Sequence, residues 1–233
     1  MATIYGFHPV RELLRHRPQD VEAVLIARRP GKRRDEIEAL ARRHRIAVDT
    51  VAESILREHS GGAPHNGVVA RVRAVTEPVP TSVDTDLRVL VEDVQDPHNL
   101  GALLRVCEGA GVGQVLVRDR GSAPITATVR KVSAGAAEWL TIERVTNSGQ
   151  RIKRLKDEGF WVYGAAAGGD APWDVDLSGK VALCFGGEEK GLRARTRELC
   201  DGLLGLPLRG RVESLNLSTA AAAVLYEAVR QRS

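Results

Sequence analysis

The polar side chains best placed to do chemistry lie where an apolar strand runs into a helix, at residues 91–111. Asp96 and Asn99 are of the types that cap helices, and Pro97 stiffens the turn between them. Arg105 falls about 140° from the centre of the helix's apolar face, so its guanidinium is available to a phosphate or a ribose. A solvated surface arginine is the commoner outcome at such a position. The apolar face is expected to bury Leu100, Leu103, Leu104 and Cys107.

A second candidate site follows a buried strand that ends in Gly186 and Gly187. Glycines let a ligand approach the backbone closely, and Glu188, which comes next, can accept hydrogen bonds from a helix end, a ribose or a base edge. Strand ends of this kind form ligand crevices in α/β proteins. A tight turn with exposed carboxylates is an equally good interpretation of the same residues.

A third candidate site lies in residues 203–232, where a strand ends in a Leu-Pro-Leu run before a polar loop and an alanine-rich helix. Pro207 removes a backbone donor, so this run is expected to be irregular, with polar groups that can contact an adenine edge. Ser214 or Asn216 can cap the helix that follows. Capping accounts for one polar residue better than for three, so a loop that faces a ligand is an equally good interpretation.

Two other kinds of site are not supported by the sequence. The glycine-rich run at 109–113 follows a helix and precedes a strand, whereas a dinucleotide fingerprint follows a strand and opens a helix. These glycines are therefore predicted to form a helix C-cap and a turn. The three cysteines lack metal-ligand spacing, so no metal site is predicted.

Strands and helices alternate through the second part of the chain, which favours an α/β fold with a mostly parallel sheet and helices on both faces. The predicted strands are 87–93, 114–118, 160–166, 180–185 and 202–206. The predicted helices are 99–110, 147–157, 193–200 and 215–230. In such a sheet the candidate residues follow strand ends, where they can converge.

The first part of the chain is predicted to be a small, basic α/β unit over residues 1–75, with strands at 21–27, 45–51 and 67–75 and a helix at 33–44. It holds 14 Lys or Arg against 9 Asp or Glu, whereas residues 76–233 hold 20 against 21. A basic unit on a near-neutral body can bind a polyanion, although a solvated helix face is equally consistent with this pattern. Residues 76–86 have the composition of a linker, which predicts a second domain over 87–233.

Four segments together resemble the signature of the SpoU (also called TrmH) branch of the SPOUT RNA 2′-O-ribose methyltransferases. They are DPHNLGALLR, KVSAGAAEWL, FGGEEKGLR and LPLRGRVESLNLSTAAAAVLYEAVRQR, and their order and spacing agree with that family as well. The opening IYGFHPVRELL and the basic unit are similar to the bacterial members that methylate a guanosine ribose in 23S ribosomal RNA. The resemblance covers nearly the whole chain.

The resemblance implies a C-terminal α/β domain with a deep trefoil knot, whose backbone wraps a bent S-adenosylmethionine. It also implies an N-terminal RNA-binding unit similar to the ribosomal L30e type. Members of the family are typically homodimers that pack through their knotted domains, and the site is completed across that interface. Composition and periodicity do not predict a knot, which is a rare exception to unknotted topology.

The family's functional positions can be carried over residue by residue. Asn99 and Arg105 match the asparagine and arginine of the first motif, Glu188 the glutamate of the second, and Ser214 and Asn216 the polar pair of the third. The resemblance also implies cofactor contacts at Gly186, Gly187, Leu206, Leu208 and Leu215. The basic residues of the N-terminal unit that we expect to contact RNA are Arg28, Arg29, Lys32, Arg33 and Arg34.

The sequence thus predicts an S-adenosylmethionine-dependent RNA 2′-O-methyltransferase that methylates the ribose of a guanosine in 23S ribosomal RNA and forms a homodimer. One alternative is a tRNA ribose methyltransferase. Another is a non-catalytic RNA-binding or ribosome-assembly protein with the same fold. No apolar run reaches transmembrane length and the N-terminus lacks a signal-peptide pattern, so a cytoplasmic location without membrane contact is expected.

Overall fold

A computed structural model describes residues 2–73, 86–188 and 190–233. The strands are β1 (Ala2–Tyr5), β2 (Val21–Ala27), β3 (Ala47–Val51), β4 (Val68–Val72), β5 (Leu87–Val91), β6 (Gln114–Arg118), β7 (Thr141–Val145), β8 (Trp161–Asp170), β9 (Val181–Phe185) and β10 (Gly202–Leu204). The α-helices are α1 (Phe7–His16), α2 (Lys32–Arg43), α3 (Glu53–His59), α4 (Pro97–Gly109), α5 (Ala127–Val132), α6 (Ser148–Asp157), α7 (Ala194–Leu199) and α8 (Leu217–Gln231).

The chain divides into two units, and one of them takes a segment from the middle of the sequence. The first unit comprises Met1–Pro78 and Ile125–Trp139, and the second comprises Val79–Pro124 and Leu140–Ser233. The segment 125–139 therefore groups with the first unit, whereas the sequence-based division assigned it to the second. The predicted linker 76–86 lies outside the described residues except for Asp86, so the domain boundary stays a prediction.

The first unit is built on a four-stranded sheet in the order β1-β4-β2-β3. Strands β2 and β3 are parallel, and β4 runs antiparallel to both β1 and β2. The predicted strands and helix correspond to β2, β3, β4 and α2, whereas β1 and α1 were not predicted. Helix α1 buries Val10, Leu13 and Leu14, whose spacing places them on one helical face against the sheet.

Residues 125–139 join this unit through buried polar contacts. The Glu138 carboxylate is fully buried and pairs with Arg130 and, at 3.7 Å, with the Arg17 guanidinium. Gly135 has a φ of +95°, and a Cβ there would lie 2.6 Å from the Cγ of Glu12. A buried ion pair needs partners on both sides to offset the loss of hydration. The KVSAGAAEWL segment is therefore held to the first unit by charge as well as by close backbone approach.

The second unit contains a six-stranded sheet in the order β10-β8-β9-β5-β6-β7, in which every pairing is parallel. The predicted parallel α/β fold is confirmed. Strands β9 and β5 lie at the centre, and their apolar VALCF and LRVLV sequences suit strands buried on both faces. Strand β7 was not predicted, since its Thr141, Glu143 and Arg144 break the apolar pattern at the edge of the sheet.

The strand order brings the chain just after β5, β6 and β9 to one edge of the sheet. Behind that edge, the buried Glu92 accepts a hydrogen bond of 2.9 Å from the hydroxyl of Thr196 in α7. This bond ties α7 to the end of β5. The trefoil knot and the L30e likeness of the first unit stay predictions, because strand order and register do not define how a chain threads. None of the described helices is both long and apolar enough to cross a membrane.

Candidate active site

The start of helix α4 forms as the sequence indicates. Asp96 is the N-cap, its Oδ1 accepting a 2.8 Å hydrogen bond from the backbone N–H of His98, and Pro97 occupies the first helical position. This hydrogen bond holds the pKa of Asp96 below its ordinary value. The apolar face buries all four predicted residues, Leu100, Leu103, Leu104 and Cys107.

The turn after β9 is so tight that two of its glycines are required for steric reasons. A Cβ at Gly186 would lie 2.0 Å from the carbonyl carbon of Gly191, and a Cβ at Gly187 would lie 2.4 Å from the carbonyl oxygen of Asp93. The N–H of Gly191 also donates to the carbonyl of Gly187 at 2.8 Å, closing the turn on itself. These glycines therefore form the tight turn that the sequence allowed, and this turn borders two cavities, so their role in ligand binding stays a prediction.

Asn216 joins the three candidate segments. Its Oδ1 accepts hydrogen bonds from the backbone N–H and the hydroxyl of Ser218, at 2.9 and 2.7 Å, so Asn216 is the N-cap of α8. Because the cap uses the amide oxygen, the amide nitrogen must face the other way. There Nδ2 donates to Oδ1 of Asn99 at 3.2 Å and to Oε1 of Glu188 at 3.0 Å.

An apolar cavity of about 220 Å³ opens beside this junction. Its lining includes the five predicted cofactor positions, Gly186, Gly187, Leu206, Leu208 and Leu215, together with Glu188 and Ser214. The remaining wall, which was not predicted, consists of Ala165, Ala166, Ala167, Phe185, Gly191, Leu204, Glu213, Leu217, Ala220 and Val224. The small residues in the middle of β8 were the available signal, since a run of alanines there leaves room for a ligand.

A larger, polar cavity of about 720 Å³ adjoins the apolar one. It is lined by Asp93, Val94, Gln95, Asp96, Asn99, Arg118, Arg120, Gly121, Gly187, Glu188, Lys190 and Arg193. Gly187 and Glu188 border both cavities, so the two meet at the turn after β9. Of the predicted catalytic residues, Asn99 and Glu188 line the polar cavity, and Glu188 and Ser214 line the apolar cavity. Asn216 is not among the described residues that line either cavity, but it donates to Asn99 and Glu188, which do.

Arg105 is exposed on α4, as its angular position in the sequence predicts. Among the described residues that line the two cavities, Arg105 does not occur. It follows Asn99 by six residues, which corresponds to about 9 Å along the helix axis and about 120° around it. Helix geometry therefore directs Arg105 to a different side of α4 from Asn99, and its catalytic role stays a prediction.

Three of the five predicted RNA-binding residues line a cavity of the first unit. Arg29, Arg33 and Arg34 border this space of about 410 Å³ together with His65 and Asn66. Arg34 also donates to the carbonyl of Arg28 at 3.1 Å, so it shapes the loop after β2. The remaining predicted positions, Arg28 and Lys32, are exposed.

Comparisons with known proteins match both parts of the chain. The family described as "SpoU rRNA Methylase family" matches residues 86–226. The chain belongs to the SpoU rRNA methylase family. A second family, described as "RNA 2'-O ribose methyltransferase substrate binding", matches residues 3–78. The predicted family and the predicted enzyme class, an RNA 2′-O-methyltransferase, are therefore confirmed.

Similar SpoU proteins match over nearly the full length. The 23S rRNA (guanosine-2′-O-)-methyltransferase RlmB of Xanthomonas axonopodis pv. citri is 41% identical over 239 residues, which cover 98% of this chain and 96% of that protein. The RlmB of Escherichia coli K12 is 37% identical, with 99% and 98% covered. The crystal structure of the SpoU methyltransferase AviRb from Streptomyces viridochromogenes, in complex with the cofactor AdoMet, has a TM-score of 0.82 at 27% identity, with 99% and 90% covered.

Proposed function

We propose that this protein transfers a methyl group from S-adenosylmethionine to the ribose 2′-hydroxyl of a guanosine in 23S ribosomal RNA. The observation that carries this proposal is the Asn216 amide, which joins Asn99, Glu188 and the start of α8 where two cavities of opposite character meet. Such a junction lets a donor in one cavity face an acceptor in the other. The full-length likeness to proteins named as 23S rRNA guanosine methyltransferases supports this choice of substrate.

The cofactor is S-adenosylmethionine, and we propose that the apolar cavity holds part of it. Leu208 and Leu215 are 38% and 40% exposed at the cavity, so a bound adenosine would remove apolar surface from water. Gly186 and Gly187 bring backbone to the cavity wall, and Leu206 lies in irregular backbone before the polar loop. Bound there, the cofactor supplies an electrophilic methyl group on a sulfonium.

The polar residues at the junction are suited to hold the ribose. Asn99 uses its Oδ1 to accept from Asn216, which leaves its amide N–H groups able to donate to a sugar oxygen. Glu188 uses Oε1 in the same way and retains Oε2 as an acceptor for a hydroxyl. We propose that these two groups and Ser214 align the 2′-hydroxyl, since positioning contributes much of the rate in an in-line displacement.

Arg105 is proposed to stabilise the alkoxide that develops at the ribose. A guanidinium stays protonated under ordinary conditions, so electrostatic stabilisation suits it better than general-base catalysis. Because Arg105 lines neither cavity of one copy, we propose that it acts from a second copy in a homodimer. The exposed Tyr226 of α8, whose hydroxyl lies near Gly109 at the end of α4, offers aromatic surface for such an interface.

Subunit mixing tests this dimer. Arg105→Ala and Asn216→Asp would each inactivate every site of their own homodimer. If Arg105 acts on the partner's junction, refolded or co-expressed mixtures of the two variants contain sites with both residues intact and regain activity. If Arg105 acts within its own chain or not at all, the mixture stays as inactive as the separate variants.

The first unit is proposed to recruit the RNA. Its arginine-lined cavity and its match to a substrate-binding family support this role. A ribosomal substrate is favoured over tRNA because the curated relatives resemble the chain through both units. Action on ribosomal RNA would also agree with the expected cytoplasmic location.

Methyl transfer from radiolabelled S-adenosylmethionine tests the proposed function. Purified protein is incubated with 23S rRNA fragments or total tRNA, and the modified position is mapped by its resistance to alkaline hydrolysis. We expect label in 23S rRNA at a guanosine ribose. Label in tRNA alone would favour the tRNA enzyme, and the absence of both label and cofactor binding would favour a non-catalytic RNA-binding protein.

A further inference from the structure

Four basic side chains, Arg118, Arg120, Lys190 and Arg193, form one wall of the polar cavity. The cavity also holds three carboxylates, those of Asp93, Asp96 and Glu188. Two of these have partners outside the basic group, since Asp96 caps α4 and Glu188 accepts from Asn216. The lining therefore carries a small excess of positive charge, and Asp93 is the carboxylate that pairs with the basic side chains.

Asp93 organises this wall. Its carboxylate accepts a 2.9 Å hydrogen bond from Nη1 of Arg118 and a 2.7 Å hydrogen bond from Nε of Arg193. The hydrogen bond with Asp93 also raises the pKa of Arg193. One carboxylate thus holds two guanidiniums that come from the end of β6 and from the turn after β9. Neither arginine was identified from the sequence.

The backbone at Asp93 is unusual for a residue with a side chain. Its φ is +55°, in the left-handed region that favours glycine. Its carbonyl packs against Gly187, where no Cβ could be accommodated. An aspartate in the left-handed backbone conformation lowers the stability of the fold somewhat. The ion pairs of Asp93 with Arg118 and Arg193 offset this cost. The residue is therefore better explained by what its carboxylate holds than by the local backbone.

Arg193 keeps donors for a ligand, whereas Arg118 is largely buried and also donates to the carbonyl of Arg120. A guanidinium has five N–H groups, and Arg193 directs its bonds to Asp93 from Nε and Nη2 while half of its side chain is exposed. Arginines with free donors in a fixed orientation match the oxygens of a phosphate. A nucleotide whose ribose lies at Glu188 would have its own phosphates within the same cavity.

We propose that Arg193 and Arg118 bind a backbone phosphate of the RNA strand next to the target ribose, and that Asp93 is a positioning residue that orients both guanidiniums. This inference rests on the proposed function, because it takes the ligand of the polar cavity to be the RNA that is methylated. It adds the contact that fixes the strand relative to the cofactor.

Binding measurements on charge-matched variants test the phosphate contact. Arg193→Ala is compared with Arg195→Ala. Arg195 lies two residues further along the chain and forms an exposed ion pair with Glu198, so its substitution removes the same charge at a neighbouring position. Fluorescence anisotropy with a labelled 23S rRNA hairpin should give a roughly tenfold weaker affinity for Arg193→Ala. The slope of log affinity against log salt should fall by about 1 for that variant. Arg195→Ala should change neither quantity.

A glycine variant tests the positioning role. Asp93→Gly keeps the left-handed backbone, so its melting temperature should not fall by more than a few degrees, yet it releases both arginines. We expect its RNA affinity and KM to worsen like those of Arg193→Ala while its affinity for S-adenosylmethionine is kept. The loss in the double variant should be smaller than the sum of the two single losses, because Asp93 acts in part through Arg193.

Three results would overturn the inference. These are equal RNA affinities and salt slopes for Arg193→Ala and Arg195→Ala, unchanged RNA affinity in Asp93→Gly, and additive losses in the double variant. The proposed function fails separately, if wild-type protein transfers no methyl group to RNA. The anisotropy comparison does not depend on turnover, so it decides the phosphate contact in either case.

Discussion

The two cavities that meet at Glu188 are built in opposite ways. The apolar cavity takes its shape from backbone, glycines and small side chains, and much of its wall follows β9 and β10. The polar cavity takes its shape from charged side chains that are tied together across strand ends. Substitutions in the first should therefore change cofactor affinity, and substitutions in the second should change RNA affinity and its salt dependence.

The largest effect is expected in the turn after β9, which borders both cavities. Gly186→Ala would place a methyl group about 2 Å from the Gly191 backbone, so the turn must move and both cavities change. We expect loss of cofactor binding by calorimetry and destabilisation of about 3 kcal/mol in denaturant unfolding. Gly210→Ala is the control, because a Cβ there meets nothing within 4 Å. Normal cofactor affinity in Gly186→Ala would contradict the structure of this turn.

An intermediate effect should separate the two cavities. Leu215→Ala removes apolar surface from the cofactor cavity, and we expect a five- to tenfold weaker affinity for S-adenosylmethionine, which corresponds to about 1 kcal/mol. The salt slope of RNA binding should be unchanged. Val212→Ala is the control, since Val212 is 63% exposed in the same loop and is not among the described residues that line either cavity. Equal cofactor affinities in the two variants would argue against the apolar cavity as the cofactor site.

The smallest effect concerns acid. The backbone hydrogen bond from His98 lowers the pKa of Asp96, so the folded state favours the carboxylate. This stabilisation is complete above the ordinary pKa near 3.8 and is lost as the pH falls through the lower folded value. Asp96→Asn keeps a capping oxygen but does not titrate. The unfolding free energy, measured between pH 6 and pH 2, should fall more steeply with decreasing pH for the wild type than for Asp96→Asn. The same pH dependence in both proteins would contradict the prediction.

Much of the junction around Asn216 and the turn after β9 could be predicted from the sequence because its signals are local. Asp96 and Pro97 define the start of α4, and the glycines after β9 indicate a turn with close backbone approach. The resemblance to a known family then selected Asn216 and Glu188, which the structure brings within hydrogen-bond distance. Whether these residues catalyse methyl transfer stays a prediction.

The polar cavity could not be predicted in the same way. Arg118 and Arg193 lie 25 and 100 residues from Asp93, and each resembles an ordinary surface arginine in the sequence. They meet because β9, β5 and β6 are neighbours in a parallel sheet, and strand order is not contained in local periodicity. The left-handed backbone of Asp93 has no sequence signal either, since glycine is the usual residue there.

The turnover of Asn216→Asp tests the central claim, that the Asn216 amide joins the two cavities into one active site. Aspartate retains the oxygen that caps α8, but it replaces the N–H donors to Asn99 and Glu188 with a second negative charge. We expect kcat for methyl transfer to 23S rRNA to fall by about 100-fold or more, with the melting temperature kept within a few degrees. Near-wild-type turnover in a folded Asn216→Asp variant would contradict this account.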